Sequence, residues 1–376
     1  MTDSLPYDFS SGNTNPETYP GEELAAAAAR VIPGLAASLN TYPGKLGHEG
    51  LRRLLAARES AREGIEVDPD HIVLTNGSMQ GVTLVAETFC EGRGDRVLLE
   101  ELTYNGTIEA YRSLGIEMVG VPVDGNGMRT DRLAEILDEM VREGRPPRFI
   151  YTLATYQNPT GAMMPRARRA ELLACAKRHG CLVVEDNCYG DVHYDGEKPP
   201  ALYAMDDWPD QVYICSLSKI FAPGVRLGYV VARPPLLERI LARRHDAGPN
   251  TLSAAITTEY LGPDLWGHVE RANAALKEKR DTMLAALESH LGNYCSWSRP
   301  VGGLFIWVRL PDGLDRDALA AAAADRGVAF KPGSEYHVAG SDVPFIRLAF
   351  GYPDLEAIRT GVALLGESIR EALVPA

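Results

Sequence analysis

The chain has 376 residues, an apolar fraction of 45% and a formal net charge of -13, enough length and apolar content for a large core and two packed lobes. The acids are spread along the chain and no basic patch stands out, which argues against nucleic acid as a partner. No apolar run approaches the roughly eighteen residues of a membrane span, the polar stretch 1–20 has no signal core, and the six cysteines are scattered without metal-ligand spacing, so no metal site is expected and they read as reduced residues of a cytoplasmic protein.

Residues 10–20 (SSGNTNPETYP) are rich in turn formers and predict an irregular arm. Alanine-rich Glu22 to Val31 predicts a helix, and a loop with Tyr42, Pro43, Gly44 and Gly47 leads to a second helix over Gly50 to Glu63. From Asp70 onward strands and helices alternate, the pattern of an α/β fold. His71 to Thr75 is a short strand, and Asn76-Gly77-Ser78-Met79 opens a helix reaching about Cys90. A glycine-led turn into a helix presents unpaired N–H groups and the positive end of the dipole, which suits an anion. Ser78 either caps that helix or joins the anion site, and both can hold together.

Arg96 to Glu100 predicts a strand with Tyr104 just beyond it. Ile116 to Val123 predicts a strand ending in the turn Asp124-Gly125-Asn126-Gly127, followed by a helix over Thr130 to Glu143 and a strand over Pro147 to Leu153. Tyr156-Gln157-Asn158-Pro159-Thr160-Gly161 is then a tight turn that fixes Asn158. A helix over Arg166 to His179 precedes an apolar strand, Cys181 to Glu185, which sets Asp186 at its carboxyl end, where open α/β sheets place ligand groups. Buried strands are predicted over Val212 to Cys215 and Arg226 to Ala232.

Between those two strands lies SLSKIFAPGVRLGY, residues 216–229. Lys219 stands among Ser216, Ser218 and Arg226, an amine beside a set of phosphate-sized donors. After Ala232 the pattern shifts to helices over Pro234 to Arg244 and Asn250 to His290. Strands over Cys295 to Arg299, Gly303 to Leu310, Val328 to Phe330 and Pro344 to Phe350 follow, with helices over Asp315 to Arg326 and Asp354 to Leu373. Arg347 sits inside the apolar strand Phe345–Phe350 and needs an anionic partner; its planar fork suits a carboxylate.

Taken together, SLSKIFAPGVRLGY, Asn158-Pro159-Thr160-Gly161, Asp186-Asn187-Cys188-Tyr189 and Arg347 resemble the fold-type-I pyridoxal-phosphate aminotransferases of classes I and II, and within them the 2-aminoadipate, aromatic and branched-chain enzymes. The resemblance extends over nearly the whole chain. It implies an α/β large domain with a mostly parallel central sheet and helices on both faces, plus a smaller α+β domain. The expected division is an N-terminal arm and part of the small domain over 1–45, a large cofactor-binding domain over 46–245 and a small domain over 246–376.

The resemblance also implies roles. Lys219 holds pyridoxal 5'-phosphate through an imine and, once freed, moves the substrate α-proton; Asp186 keeps the pyridine nitrogen protonated; Tyr189 and Asn158 bond the ring oxygen. Ser78, the Met79 amide, Ser216, Ser218, Arg226 and Tyr42 of a partner subunit hold the phosphate, so a homodimer with shared sites is implied. Tyr104 stacks on the ring, although the proline usual before it is missing here. Arg347 and Asn158 bind the substrate carboxylate, with Gly12 of the arm bordering the pocket; the asparagine usual three residues before the arginine is Pro344. The substrates implied are an amino acid and a 2-oxo acid. A lyase, cyclase or oxidase on the same scaffold is the alternative, and a non-catalytic binding domain a further one, disfavoured because the arm starts close to Met1 without a basic region.

Overall fold

The computed structural model describes residues 5–373; the readings made on residues 1–4 and 374–376 lie outside the described part. The chain opens on a two-residue strand, β1 (Tyr7–Asp8), then runs through helices Gly21–Val31 and Glu49–Glu63 before β2 (Ile72–Thr75). Strands β3 (Arg96–Glu100) and β4 (Glu117–Val121) follow, then a tight hairpin of β5 (Val123–Asp124) and β6 (Gly127–Met128). Four more strands complete the large sheet: β7 (Phe149–Thr152), β8 (Leu182–Asp186), β9 (Gln211–Ser216) and β10 (Gly228–Ala232).

Seven strands pair in the order β2-β10-β9-β8-β7-β3-β4, all parallel except for β10, which runs against both neighbours. Strands β2 and β7 to β10 are buried at every position, as a sheet covered on both faces requires. Alternate residues serve opposite layers. Val97, Leu99, Phe149 and Val184 pack with Val82, Phe89, Ile108 and Ile240 of one helical layer. Leu98, Ile150 and Val183 pack with Leu133, Leu137, Leu172 and Ala176 of the other. The register brings the carboxyl ends of β2, β3, β7, β8 and β9 and the start of β10 to one edge. That edge is where such sheets bind ligands.

The smaller sheet comprises β11 (Ser296–Trp297), β12 (Phe305–Arg309), β14 (Lys331–Pro332) and β15 (Phe345–Ala349), in the order β11-β12-β15-β14 and antiparallel throughout. Between its strands lies β13 (Val328–Ala329), which pairs in parallel with β1 and so ties the start of the chain to its last third. The 27-residue helix Leu265–Leu291 packs on the closing helix Leu355–Leu373.

Most expected elements are present within two or three residues of their anticipated bounds. Helix Arg166–His179 has the expected ends, because Gly180 takes the left-handed conformation that stops it. One difference bears on the site: Arg226, expected to start a strand, has φ 52 and closes a short 3-10 turn over Pro223–Val225, so β10 begins two residues later.

Beneath the sheet, a buried charge network braces helix Glu49–Glu63. Arg58 and Arg62 both pair with Asp191, and Arg62 also pairs with Glu59; the Tyr229 and Tyr213 hydroxyls accept from Arg58 and Arg62 respectively. Burial alone would raise the Asp191 pKa, but the two guanidinium groups outweigh it and hold the carboxyl below the usual range. A carboxyl depressed in this way adds stability above its unfolded pKa of about 3.9, and loses it as pH falls through the lower folded value. Asp191→Asn leaves two buried guanidinium groups short of a counter-charge and should cost about 3–5 kcal/mol. Urea unfolding at pH 7 checks this, and the variant should lose less stability than the parent on acidification.

Candidate active site

The site assembles on the edge where the strand ends meet. Helix Ser78–Phe89 begins directly after β2, and its N-cap is Gly77, with φ 77 and no side-chain cap. Its first N–H groups are therefore not taken by a capping side chain, and Ser78 starts the helix without capping it. A side chain at Gly77 would run into the Arg226 guanidinium, and a Cβ at Gly228 would lie 2.6 Å from Gly77 C and Ser78 N. Both positions need glycine so that the two loops can meet.

The left-handed turn at Arg226 aims its guanidinium at this junction. It donates to the carbonyls of Asn76 at 3.1 Å and Pro223 at 3.3 Å, and it makes no ion pair among the described residues. Ser216 Oγ donates to Ser218 Oγ at 2.9 Å and accepts from Ser218 N at 3.1 Å. An uncapped helix N-terminus, two hydroxyls and an unpaired guanidinium form a donor set that fits a phosphate monoester.

Asp186 ends β8 in full burial, with no cation paired to it among the described residues. Its Oδ2 accepts from Tyr151 Oη at 2.7 Å and its Oδ1 from Cys188 Sγ at 2.9 Å. Tyr151 in turn lies 3.0 Å from Thr107 Oγ1, which fixes its hydroxyl. Burial raises the Asp186 pKa, against these hydrogen bonds. Nearby Glu100 is pushed up to about 7, first by burial, with the Asp186 charge adding to it. A buried acid so placed favours a cationic partner, and a pyridinium nitrogen is one.

Lys219 lines the same cavity, half-buried, and also lacks an ion pair among the described residues. Its Nζ donates to Gly12 O at 2.7 Å and lies 5.7 Å from the Tyr189 ring centre. Burial lowers its pKa to about 8, with Arg347 and Arg226 pushing the same way and Cys188 and Asp186 opposing. The amine is thereby closer to its neutral, nucleophilic form than an ordinary lysine.

Arg347 is 4% exposed on β15. No acid meets it, and the structural ion pair that its apolar strand could have implied is not there among the described residues. Instead Nη1 donates to Asn158 Oδ1 at 3.0 Å and Nη2 to Ser10 O at 2.6 Å, while the guanidinium carbon sits 4.1 Å from the Phe305 ring centre. Its Nε is buried without an acceptor. The charge thus remains available to an anion entering the cavity, and Asn158, held through Oδ1, keeps its Nδ2 as a donor.

A cavity of about 370 Å³ collects Gly12, Ser78, Met79, Tyr104, Asn158, Asp186, Tyr189, Ser216, Ser218, Lys219, Arg226 and Arg347. Tyr42 is the one expected site residue that does not line it; it is 86% exposed, on the arm beside exposed Leu39. Just before Tyr104, Thr103 N donates to Tyr336 O at 2.9 Å, and Tyr104 itself precedes helix Asn105–Ser113, which the pattern did not suggest. With proline at 344, the acceptors around Arg347 are Asn158 Oδ1 and Ser10 O.

Three contributors escaped the sequence reading. Tyr151 shares a sheet face with Asp186 on adjacent strands, which only the β7–β8 register reveals. Cys188 stands two residues beyond Asp186 and was readable by that spacing. Ser10 contributes a carbonyl, which carries no side-chain signal.

Comparison with known proteins places this geometry. The model of the family described as "Aminotransferase class I and II" matches residues 7–362. Aromatic-amino-acid aminotransferase 1 of Thermococcus litoralis is 34% identical over 97% of this chain and 88% of its own length. The 2-aminoadipate transaminase of Thermus thermophilus is 32% identical over 97% of this chain and 90% of its own. The crystal structure of an alpha-aminoadipate aminotransferase from Thermus thermophilus, complexed with N-(5'-phosphopyridoxyl)-L-leucine, superposes with a TM-score of 0.89 at 32% identity, covering 98% of this chain and 92% of that one.

Proposed function

We propose, from the premise that this chain belongs to the class I and II aminotransferase family, that the cavity around Lys219 is where it moves an amino group between an L-amino acid and a 2-oxo acid. The protein is a pyridoxal-phosphate-dependent aminotransferase with the fold-type-I architecture. One observation carries this assignment of the cavity: a half-buried amine, a buried carboxyl and a buried guanidinium face it together, each without an ion-pair partner among the described residues. Such groups are costly unless a ligand completes them, and a coenzyme with its substrate supplies all three complements.

Pyridoxal phosphate, when bound, supplies an aldehyde that condenses with amines and a cationic ring that withdraws electrons from the carbon beside that nitrogen. Helix Ser78–Phe89, Ser216, Ser218 and Arg226 would hold its phosphate, Asp186 its ring nitrogen, and Asn158 Nδ2 with the Tyr189 hydroxyl its ring oxygen. Arg347 then draws the substrate carboxylate to the wall shared with Asn158 and Ser10, which fixes the α-carbon near Lys219. Lys219 Nζ takes the α-proton and returns it as general base and acid. Its pKa of about 8 matches a group that must do both near neutrality. Tyr104 and the arm at Gly12 line the cavity and would limit the ring's movement in it.

Tyr42, exposed together with Leu39 and Ile32, suits a place against the phosphate cradle of a second subunit, so the active form in this reading is a homodimer. The division at residues 45 and 245 belongs to the same proposal, the large sheet lying within 72–232 and the small one within 296–349. Six unpaired cysteines suit a reducing cytoplasm.

A stoichiometric assay separates transamination from the lyase and oxidase readings. With a panel of amino acids and no acceptor, each subunit should yield about one equivalent of 2-oxo acid and stop, resuming when a second oxo acid is added. Continued product formation without an acceptor would contradict transamination.

A further inference from the structure

We propose that Lys331 reads a second carboxylate, so that the preferred substrates are dicarboxylic amino acids and their matching 2-oxo acids. This rests on the reading of Arg347 as the α-carboxylate site. Four cationic side chains line the cavity, namely Lys219, Arg226, Arg347 and Lys331. Three are already assigned, with Arg226 on the phosphate, Lys219 in the chemistry and Arg347 on the α-carboxylate. Lys331 is in surplus for any substrate with one carboxylate.

Its placement is specific. Lys331 on β14 is the direct cross-strand partner of Arg347 on β15. Directly opposed residues of an antiparallel pair project to the same face with Cβ atoms about 4.5–5.5 Å apart, and both residues line the cavity. The site therefore presents two positive groups side by side, the deeper one buried and the outer one half-buried.

Lys331 is held meanwhile by Glu335, with Nζ 2.8 Å from Oε2 and the two side chains 35% and 36% exposed. An ion pair that open to solvent is weakly held, so Glu335 can release the amine to a substrate carboxylate. Glu335 itself does not line the cavity. It keeps Lys331 oriented between turnovers without blocking the pocket. Asp186 is the only carboxylate side chain among the lining residues, so no other acid at the cavity wall repels a second substrate carboxylate.

Calorimetric binding of glutarate and butyrate to the coenzyme-loaded protein tests this directly. The two share a carbon chain of similar length and differ in the second carboxylate. Glutarate should bind about tenfold or more tightly than butyrate, Lys331→Met should bring the ratio close to one, and Lys331→Arg should retain most of it. Equal affinities in the parent protein, or a preference that survives in Lys331→Met, would overturn the proposal. The binding ratio stands apart from catalysis: failure to transaminate any donor while the glutarate preference holds would sink the reaction and leave the dicarboxylate site in place.

Discussion

Lys219→Ala should lower the rate of transamination by about 10⁴-fold or more, because it removes the nucleophile and the proton carrier in one change. The variant should still fold and take up the coenzyme. The side chain's single hydrogen bond among the described residues is to Gly12 O, and an amine whose pKa desolvation has lowered to about 8 is itself a cost to the folded state. The phosphate cradle on Ser78, Ser216, Ser218 and Arg226 and the acid at Asp186 are untouched by the substitution. A single-turnover experiment with stoichiometric amino acid measures the loss free of product release. Turnover near the parental rate in Lys219→Ala would remove this residue from the reaction.

Asp186→Asn should reduce kcat/KM by roughly 10²–10³-fold. The substitution keeps the shape and one hydrogen bond from Tyr151 but removes the charge. The carboxyl is buried, receives Tyr151 Oη at 2.7 Å and Cys188 Sγ at 2.9 Å, and has no cation of its own among the described residues. Its own pKa is raised by burial, so acid and ring nitrogen each need the other to stay charged. Asp186→Glu, which keeps the charge and moves it by one methylene, should recover part of the loss. A pH titration of the bound coenzyme's visible absorbance provides the second readout: the ring's ionisation should shift in Asp186→Asn and move back in Asp186→Glu. An unchanged titration would make Asp186 a structural group.

The sequence disclosed the parts that local patterns encode. Lys219 directly after Ser216-Leu217-Ser218, Asp186 at a strand end and Asn158 in a proline turn are each short-range signals, and all three line the cavity. The sheet was legible because its strands are short apolar runs separated by amphipathic helices. What stayed hidden depends on contacts distant in sequence. Tyr151 reaches Asp186 across 35 positions and Arg347 reaches Ser10 across 337, and neither partner can be inferred from its own neighbourhood. Arg226 read as strand because it adjoins an apolar run, whereas its left-handed turn is imposed by the meeting of two loops at Gly77 and Gly228. Lys331 carries no local signal of its own; only the pairing of β14 with β15 sets it opposite Arg347.

The account stands on a covalent bond between Lys219 Nζ and the coenzyme aldehyde. Borohydride reduction of the coenzyme-loaded protein, followed by proteolysis and mass spectrometry, tests that bond directly. The expected result is a single phosphopyridoxyl group on the peptide carrying Lys219. Its absence, or its appearance on another lysine such as Lys331 or Lys279 with Lys219 unmodified, would contradict the account.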